Sequence, residues 1–341
     1  MSTFHRRAPL AAVAFACATL TGCATFDHMA PAPKQTQPIA IEFSHDTLGL
    51  NDLPLGAYRV PDSEVIVSGH QTAGVGMAFG LIGALVSDAI DSHRGANAIE
   101  ASKKMLTLKL DDEARADIQA QLGTDALNQK FTLAKGTATR LTIVPAVIVT
   151  FIDETRARPY VELKVELLDA GGKSLWATRY FASTGAERPL QGPGSWGDHD
   201  GEAFKASVSA SLAQAVKVLL NDVASPYARD DKKMQLVQAR VPYMKQRFQL
   251  LGMGLVEDDK YVAFVPKIGD VAVMSGVNVL DKSITVYRTA TAEDKIMLLP
   301  EAPAVVLPNA AAMPPAAAAS APAPAASATV AALSAPAPAA K

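Results

Sequence analysis

The chain has 341 residues, 32 basic and 34 acidic side chains, a formal net charge of −2 at pH 7, and 49% hydrophobic residues. That length exceeds one ordinary domain and supplies a sizeable core, while the near-neutral balance leaves no basic footprint for nucleic acid. Its two cysteines, Cys17 and Cys23, cannot build a disulfide framework, so packing must hold the fold.

Residues 1–7 carry His5, Arg6 and Arg7 and no acid, and residues 8–20 are apolar or small apart from Thr19. Such a run suits the apolar stretch of a signal peptide and falls short of the roughly 20 residues of a membrane span. It ends in Leu20-Thr21-Gly22-Cys23, which resembles the lipobox of bacterial lipoproteins. The resemblance implies removal of residues 1–22 and attachment to the lipid bilayer through acylated Cys23. Lipoproteins of this kind carry three acyl chains. Each buried methylene contributes about 0.8 kcal/mol and one chain alone holds only marginally, so three imply a stable anchor. In the same family an aspartate after the cysteine favours the inner membrane. Ala24 here implies the outer membrane, on its periplasmic face. Arg6-Arg7 precedes Ala8-Pro9-Leu10, a poor context for twin-arginine export.

Residues 23–38 hold three prolines and no apolar period, and predict a tether. The body is expected over 39–224. Ile39–Phe43 and Gly56–Val60 are short strand candidates, and Glu64–Ser68 a stronger one, with Val65, Ile66 and Val67 β-branched in a row. Residues 73–86 (AGVGMAFGLIGALV) are apolar and glycine-rich, and open a predicted helix over 73–102. Gly76, Gly80 and Ala84 recur every four residues and share one helix face, which would let another backbone approach closely. Two readings stay open for this segment: a packed core helix, or a membrane-inserting or oligomer-forming one.

Leu106–Leu110 alternates and predicts a strand. Asp111 is a candidate N-cap for a helix to Leu122, with Asp112 and Glu113 in its first turn and Gly123 as a left-handed cap at its end. Phe131–Leu133 is a short strand candidate. Arg140–Ile152 predicts a long strand in which Pro145 demands a bulge or an edge position. Over Tyr160–Leu167 the residues Val161, Leu163, Val165 and Leu167 alternate with Glu162, Lys164 and Glu166, which predicts one buried and one wet face. Asp169–Lys173 predicts a hairpin turn, and Leu175–Phe181 the third strand, with Trp176 and Tyr180 packing on one face.

Phe204, Val208, Leu212, Ala215, Val216, Leu219 and Val223 form one stripe of an amphipathic helix over about 201–223. That stripe needs an apolar surface, and the nearest is the face of the 139–181 meander. The expected fold is therefore α+β, an antiparallel sheet over about residues 139–181 covered by helices. This element order resembles small α/β bodies of envelope lipoproteins, including auxiliary lipoproteins of ABC transport systems. A polar stretch at 225–235 suggests a boundary. Beyond it Phe248–Val256, Lys260–Val265, Val271–Met274, Val277–Leu280 and Ile284–Tyr287 predict a β-rich module over 236–299, or an extension of the first sheet. From residue 300 to 341 alanine and proline dominate, a composition that cannot bury a core and predicts a disordered tail.

Chemical motifs are sparse. Gly192–Asp200 (GPGSWGDHD) places Ser195 among glycines, but Pro193 breaks the G-x-S-x-G pattern. Asp198-His199-Asp200 lacks a second histidine nearby, and Asp200 suits an N-cap for the next helix. His45, His70 and His93 show no metal-binding spacing, and the glycines near 74–83 lack the Gly-Lys-Ser/Thr of a phosphate loop. No catalytic residue, metal or cofactor is assigned. The expected function is a non-catalytic outer-membrane lipoprotein, a structural or accessory subunit with a protein partner in the envelope. The alternatives are an envelope hydrolase using the Ser195–Asp200 loop, or a membrane-inserting oligomer formed through residues 73–86.

Overall fold

The computed structural model describes residues 30–44, 53–54, 56–60, 63–68, 108–134, 139–153, 155–268 and 275–300. Cys23, Gly76, Gly80 and Ala84 lie outside them, as do His45, His70, His93, the strand expected at 271–274, and the Ala/Pro-rich residues 301–341.

The architecture grows from one long ladder. Strand β5 (Thr139–Phe151) and strand β6 (Arg156–Leu168) run antiparallel without interruption from Arg140 opposite Leu168 to Phe151 opposite Ala157. Strand β7 (Ser174–Ser183) continues the meander after the turn at Asp169–Lys173. There the Asp169 carboxylate accepts the N–H groups of Gly171 and Lys173, and Gly172 takes a positive φ.

The sheet is mixed rather than purely antiparallel. On the far side of β5 lie two strands end to end, both parallel to it: β1 (Ile39–Phe43) beside Thr139–Ile143, and β3 (Val65–Ser68) beside Val147–Thr150. Short strands β2 (Tyr58–Arg59) and β4 (Phe131–Thr132) pair with β3 and β1. Pro145 needs neither a bulge nor an edge strand. The Ile143 carbonyl accepts Ser44 N–H at 3.0 Å, and Val147 N–H donates to Glu64 O at 2.9 Å. Residues 143, 145 and 147 face the same edge, so the missing N–H of Pro145 falls in the gap between β1 and β3.

The C-terminal strands extend the same sheet. β9 (Met234–Arg240), β10 (Arg247–Glu257) and β11 (Tyr261–Pro266) are antiparallel neighbours, and β12 (Val277–Asp281) joins β11 antiparallel and β7 parallel. β13 (Val286–Thr289) ends the sheet beside β9, while β14 (Met297–Leu299) pairs with the start of β10 and β8 (Arg188–Pro189) with β6. The main path is β13-β9-β10-β11-β12-β7-β6-β5-β1-β4. The segment 236–299, read as a β-rich module or an extension of the first sheet, shares one hydrogen-bonded sheet with the meander.

Helices are few. α1 (Leu110–Leu122), the short α2 (Asp125–Asn128) and α3 (Glu202–Ala224) cover one sheet face. Every member of the expected α3 stripe is buried in a core that also holds Val161, Leu163, Val165 and Leu167 of β6. Each large side chain there contributes about 1.5–3 kcal/mol. With the turn before it, α3 is long and apolar enough to cross a membrane by composition, but its apolar side is spent on this core.

Three local expectations are corrected. Leu108–Leu110 is not strand, and α1 starts at Leu110 rather than after an Asp111 cap. Its first turn is capped from a distance, by Glu64 Oε2 accepting Leu110 N–H at 2.9 Å. Gly123 is right-handed, φ −61°, because the chain runs through a tight turn into α2 rather than reversing. Within the expected tether, Ala32 is buried and the Trp176 indole donates to Ala30 O at 3.1 Å, while residues 36–38 are exposed.

The polar stretch after α3 is a clamp. Asp222, fully buried, takes a bidentate pair from Arg229 at 2.8 and 2.7 Å, the Tyr180 hydroxyl at 2.8 Å and Tyr227 N–H at 3.0 Å. Burial, then the Asp222 charge, push the Tyr180 phenol well above its ordinary pKa, so it stays a donor. Four hydrogen bonds to one carboxylate tie the helix end to β7 and to the chain leading into β9.

Candidate functional site

Two polar regions were candidates for chemistry: the 185–201 loop and the sheet face opposite the helices. In the loop, Trp196 is the organiser. Its indole donates to Ala157 O at 2.7 Å, its ring meets Phe204 edge-on at 6.1 Å, and Arg188 stacks on it at 5.0 Å. Backbone bonds from Trp196 N to Pro189 O and from Gly197 N to Leu190 O seal the loop onto the end of β6.

Ser195, beside this anchor, is buried, and its hydroxyl has no hydrogen-bond partner among the described residues. His199 is 80% exposed at its side chain and pairs with Asp198, Nδ1 to Oδ1 at 3.2 Å. The serine and the imidazole are therefore not joined, and a nucleophile needs a base within about 2.6–3.2 Å. Asp198 instead knits the loop: its carboxylate accepts Gly194 N–H at 2.8 Å and His199 N–H at 3.0 Å. Those bonds, the Gly194 one foremost, hold its pKa below the usual carboxylate value.

Asp200 is not the N-cap of α3. His199, Asp200 and Gly201 take three successive left-handed conformations, φ 48°, 61° and 79°, and Gly201 occupies the cap position with no side-chain cap bond. The glycine carries no strain there, whereas the two residues before it do. No group of three metal-ligating side chains occurs among the described residues.

The opposite sheet face holds the polar residues that the alternation of β6 placed in water. Glu162 is buried, not wet. Its carboxylate meets Arg179 Nε at 3.0 Å and accepts the Tyr243 hydroxyl at 2.8 Å, while Tyr243 N–H donates to Thr150 Oγ1, itself bonded to Ser68 Oγ. Tyr243 belongs to the β9–β10 connection, distant from β5 and β6 along the sheet, so this connection folds back across the face. It holds a left-handed φ of 67° to do so. Lys164 and Glu166, farther along β6, stay half-exposed.

Beside this pair, Arg158 donates to Ser183 Oγ at 2.9 Å and lies over the Tyr160 ring at 5.3 Å; Arg240 approaches Glu187 at 3.8 Å and donates to Lys245 O. Burial raises the Tyr160 phenol above its ordinary value, against the pull of Arg158 and Arg240. Ion pairs of this kind hold segments in register at little net gain in stability. The row works as a lock for the hairpin tip, with its arginines already occupied by protein groups.

Sequence reasoning missed that lock because its partners lie about 80 residues apart, as Glu162 and Tyr243 do. It also missed Trp196 as an anchor, although a tryptophan within a glycine-rich polar loop was a usable signal. The chain matches no protein-family model, and no curated protein sequence matches it.

Proposed function

We propose that this chain is a non-catalytic lipoprotein of the outer membrane, held by acylated Cys23 and serving as an accessory subunit that offers its body to an envelope protein. The observation that carries the reading is the Leu20-Thr21-Gly22-Cys23 motif at the end of an apolar, basic-headed leader. Two features of the body agree with a binding role. The loop that held the best candidate nucleophile keeps Ser195 buried and away from His199. Among the described residues the sheet ends on β13, which pairs with β9 alone and leaves Val286 46% exposed, an edge of the kind that accepts another strand.

The test is fractionation of a Cys23→Ala variant. Loss of signal-peptidase-II processing and release from the membrane is the expected result. A normally processed, membrane-bound variant overturns the reading.

A further inference from the structure

A pocket of about 270 Å³ opens beside β14, lined by Val241, Phe248, Leu250, Pro266, Ile268 and Ile296. The one charged residue in its lining is Lys267. This side chain is exposed and forms no ion pair with any described residue. The apolar surface runs on past the pocket. Leu298 pairs across the ladder with Phe248, on the same side, and is 58% exposed, while Ile296 is 46% exposed.

The surroundings are cationic. Lys245 lies three residues before Phe248 and Lys295 precedes Ile296, and neither is ion-paired among the described residues, whereas Arg247, next to Phe248 on β10, faces the other side of the sheet. Of the acids just upstream, Glu293 is exposed, while Asp294 is taken by Arg288 at 2.7 Å and by Thr291. An apolar hollow with the unpaired cation of Lys267 in its lining recognises an apolar body carrying a negative end.

We propose that this pocket binds a single-chain anionic amphiphile, a free fatty acid of about eight to ten carbons, with its chain in the hollow and its carboxylate at Lys267. The volume holds roughly nine water-sized groups at about 30 Å³ each, below the roughly 300–1,000 Å³ of pockets for drug-sized ligands. A second copy of the chain is a poor occupant, because a two-fold contact would bring the same cations face to face. A flat bilayer is another, since it cannot fill a concave hollow. The inference rests on this geometry alone and stands apart from the reading of Cys23.

Photoreactive decanoate, with a diazirine near its chain end, tests it on the full chain in nanodiscs of zwitterionic lipid. Saturable labelling is expected on peptides bearing Phe248, Ile268 and Ile296. Unlabelled fatty acids should compete roughly fourfold better per added methylene up to about ten carbons, the equivalent of about 0.8 kcal/mol per group. Decanol should compete at least tenfold less well than decanoate. Lys267→Gln should erase that preference and Lys267→Arg restore it, while Ile296→Glu should abolish labelling with unchanged thermal melting. Both side chains are solvent-accessible, so these variants fold. Four results overturn the proposal: labelling spread over other elements, equal competition by decanol, labelling that survives Ile296→Glu, or labelling only by a photoreactive phosphatidylglycerol in place of the free acid. Dimerisation in solution that Ile296→Glu abolishes, with decanoate labelling absent, assigns the pocket to a second copy and overturns it too.

Discussion

Two regions of the sheet are built to opposite rules. Around β5–β7 both faces are covered, by α1 and α3 on one side and by the β9–β10 connection on the other, and the buried charges Asp222, Glu162, Arg179 and Arg229 all have partners. Around β13 and β14, Val286, Ile296, Met297 and Leu298 stand in solvent and the nearby cations Lys267 and Lys295 are unpaired among the described residues. The first region carries the stability, and the second is free to carry recognition. Surface that helps hold the fold together cannot also be offered to a ligand.

Breaking the covered region should cost most. Arg229→Met strands the Asp222 carboxylate at zero exposure, and leaving such a charge unpaired costs about 3–5 kcal/mol. Denaturant unfolding should register that loss, whereas Arg229→Met combined with Asp222→Leu should recover much of it. Leu212→Ala, at the centre of α3, should cost about 2–5 kcal/mol through its cavity. A loss below about 1 kcal/mol would mean that the helix is not the cover of this face.

Trp196→Phe keeps an aromatic ring, though a smaller one, but removes the donor to Ala157 O, and an unsatisfied buried acceptor costs about 1–3 kcal/mol. Amide exchange in residues 189–201 should rise with it.

The turn between β5 and β6 offers a pH probe. Asp153 is partly buried, which raises its pKa, but bonds from Thr155 and Arg156 outweigh burial and bring it to about 2. Since the folded pKa is depressed below 3.8, its contribution is full above about pH 4 and fades as pH falls towards 2. Stability of Asp153→Asn should therefore approach that of the parent in that window. A gap that stays constant from pH 6 down to 2 would dismiss the assignment.

The exposed region should respond least. Met297→Ser, at a half-exposed side chain on β14, should change stability by no more than about 0.5 kcal/mol. A larger loss would place this strand among the elements that hold the fold and would erase the contrast between the two regions.

Periodicity alone determined the elements whose signals are local. The Tyr160–Leu167 alternation, the Asp169–Lys173 turn and the α3 stripe from Phe204 to Val223 follow from spacings of two and three to four residues, and all are found. The proposed leader rests on the same kind of local pattern, the Leu20-Thr21-Gly22-Cys23 motif after an apolar run. Only the tertiary structure decided what surrounds those elements. Glu162 was read as wet because one strand cannot reveal that Tyr243 folds back over it. Pro145 was read as a bulge or edge residue because the gap between β1 and β3 exists only once both lie beside β5. The α1 cap comes from Glu64, 46 residues away, and no local rule can name it. The pocket beside β14 likewise unites residues from Val241 to Ile296 that share no spacing. Propensity and alternation are short-range quantities, whereas parallel pairing, cover and pockets are set by where distant segments come to rest.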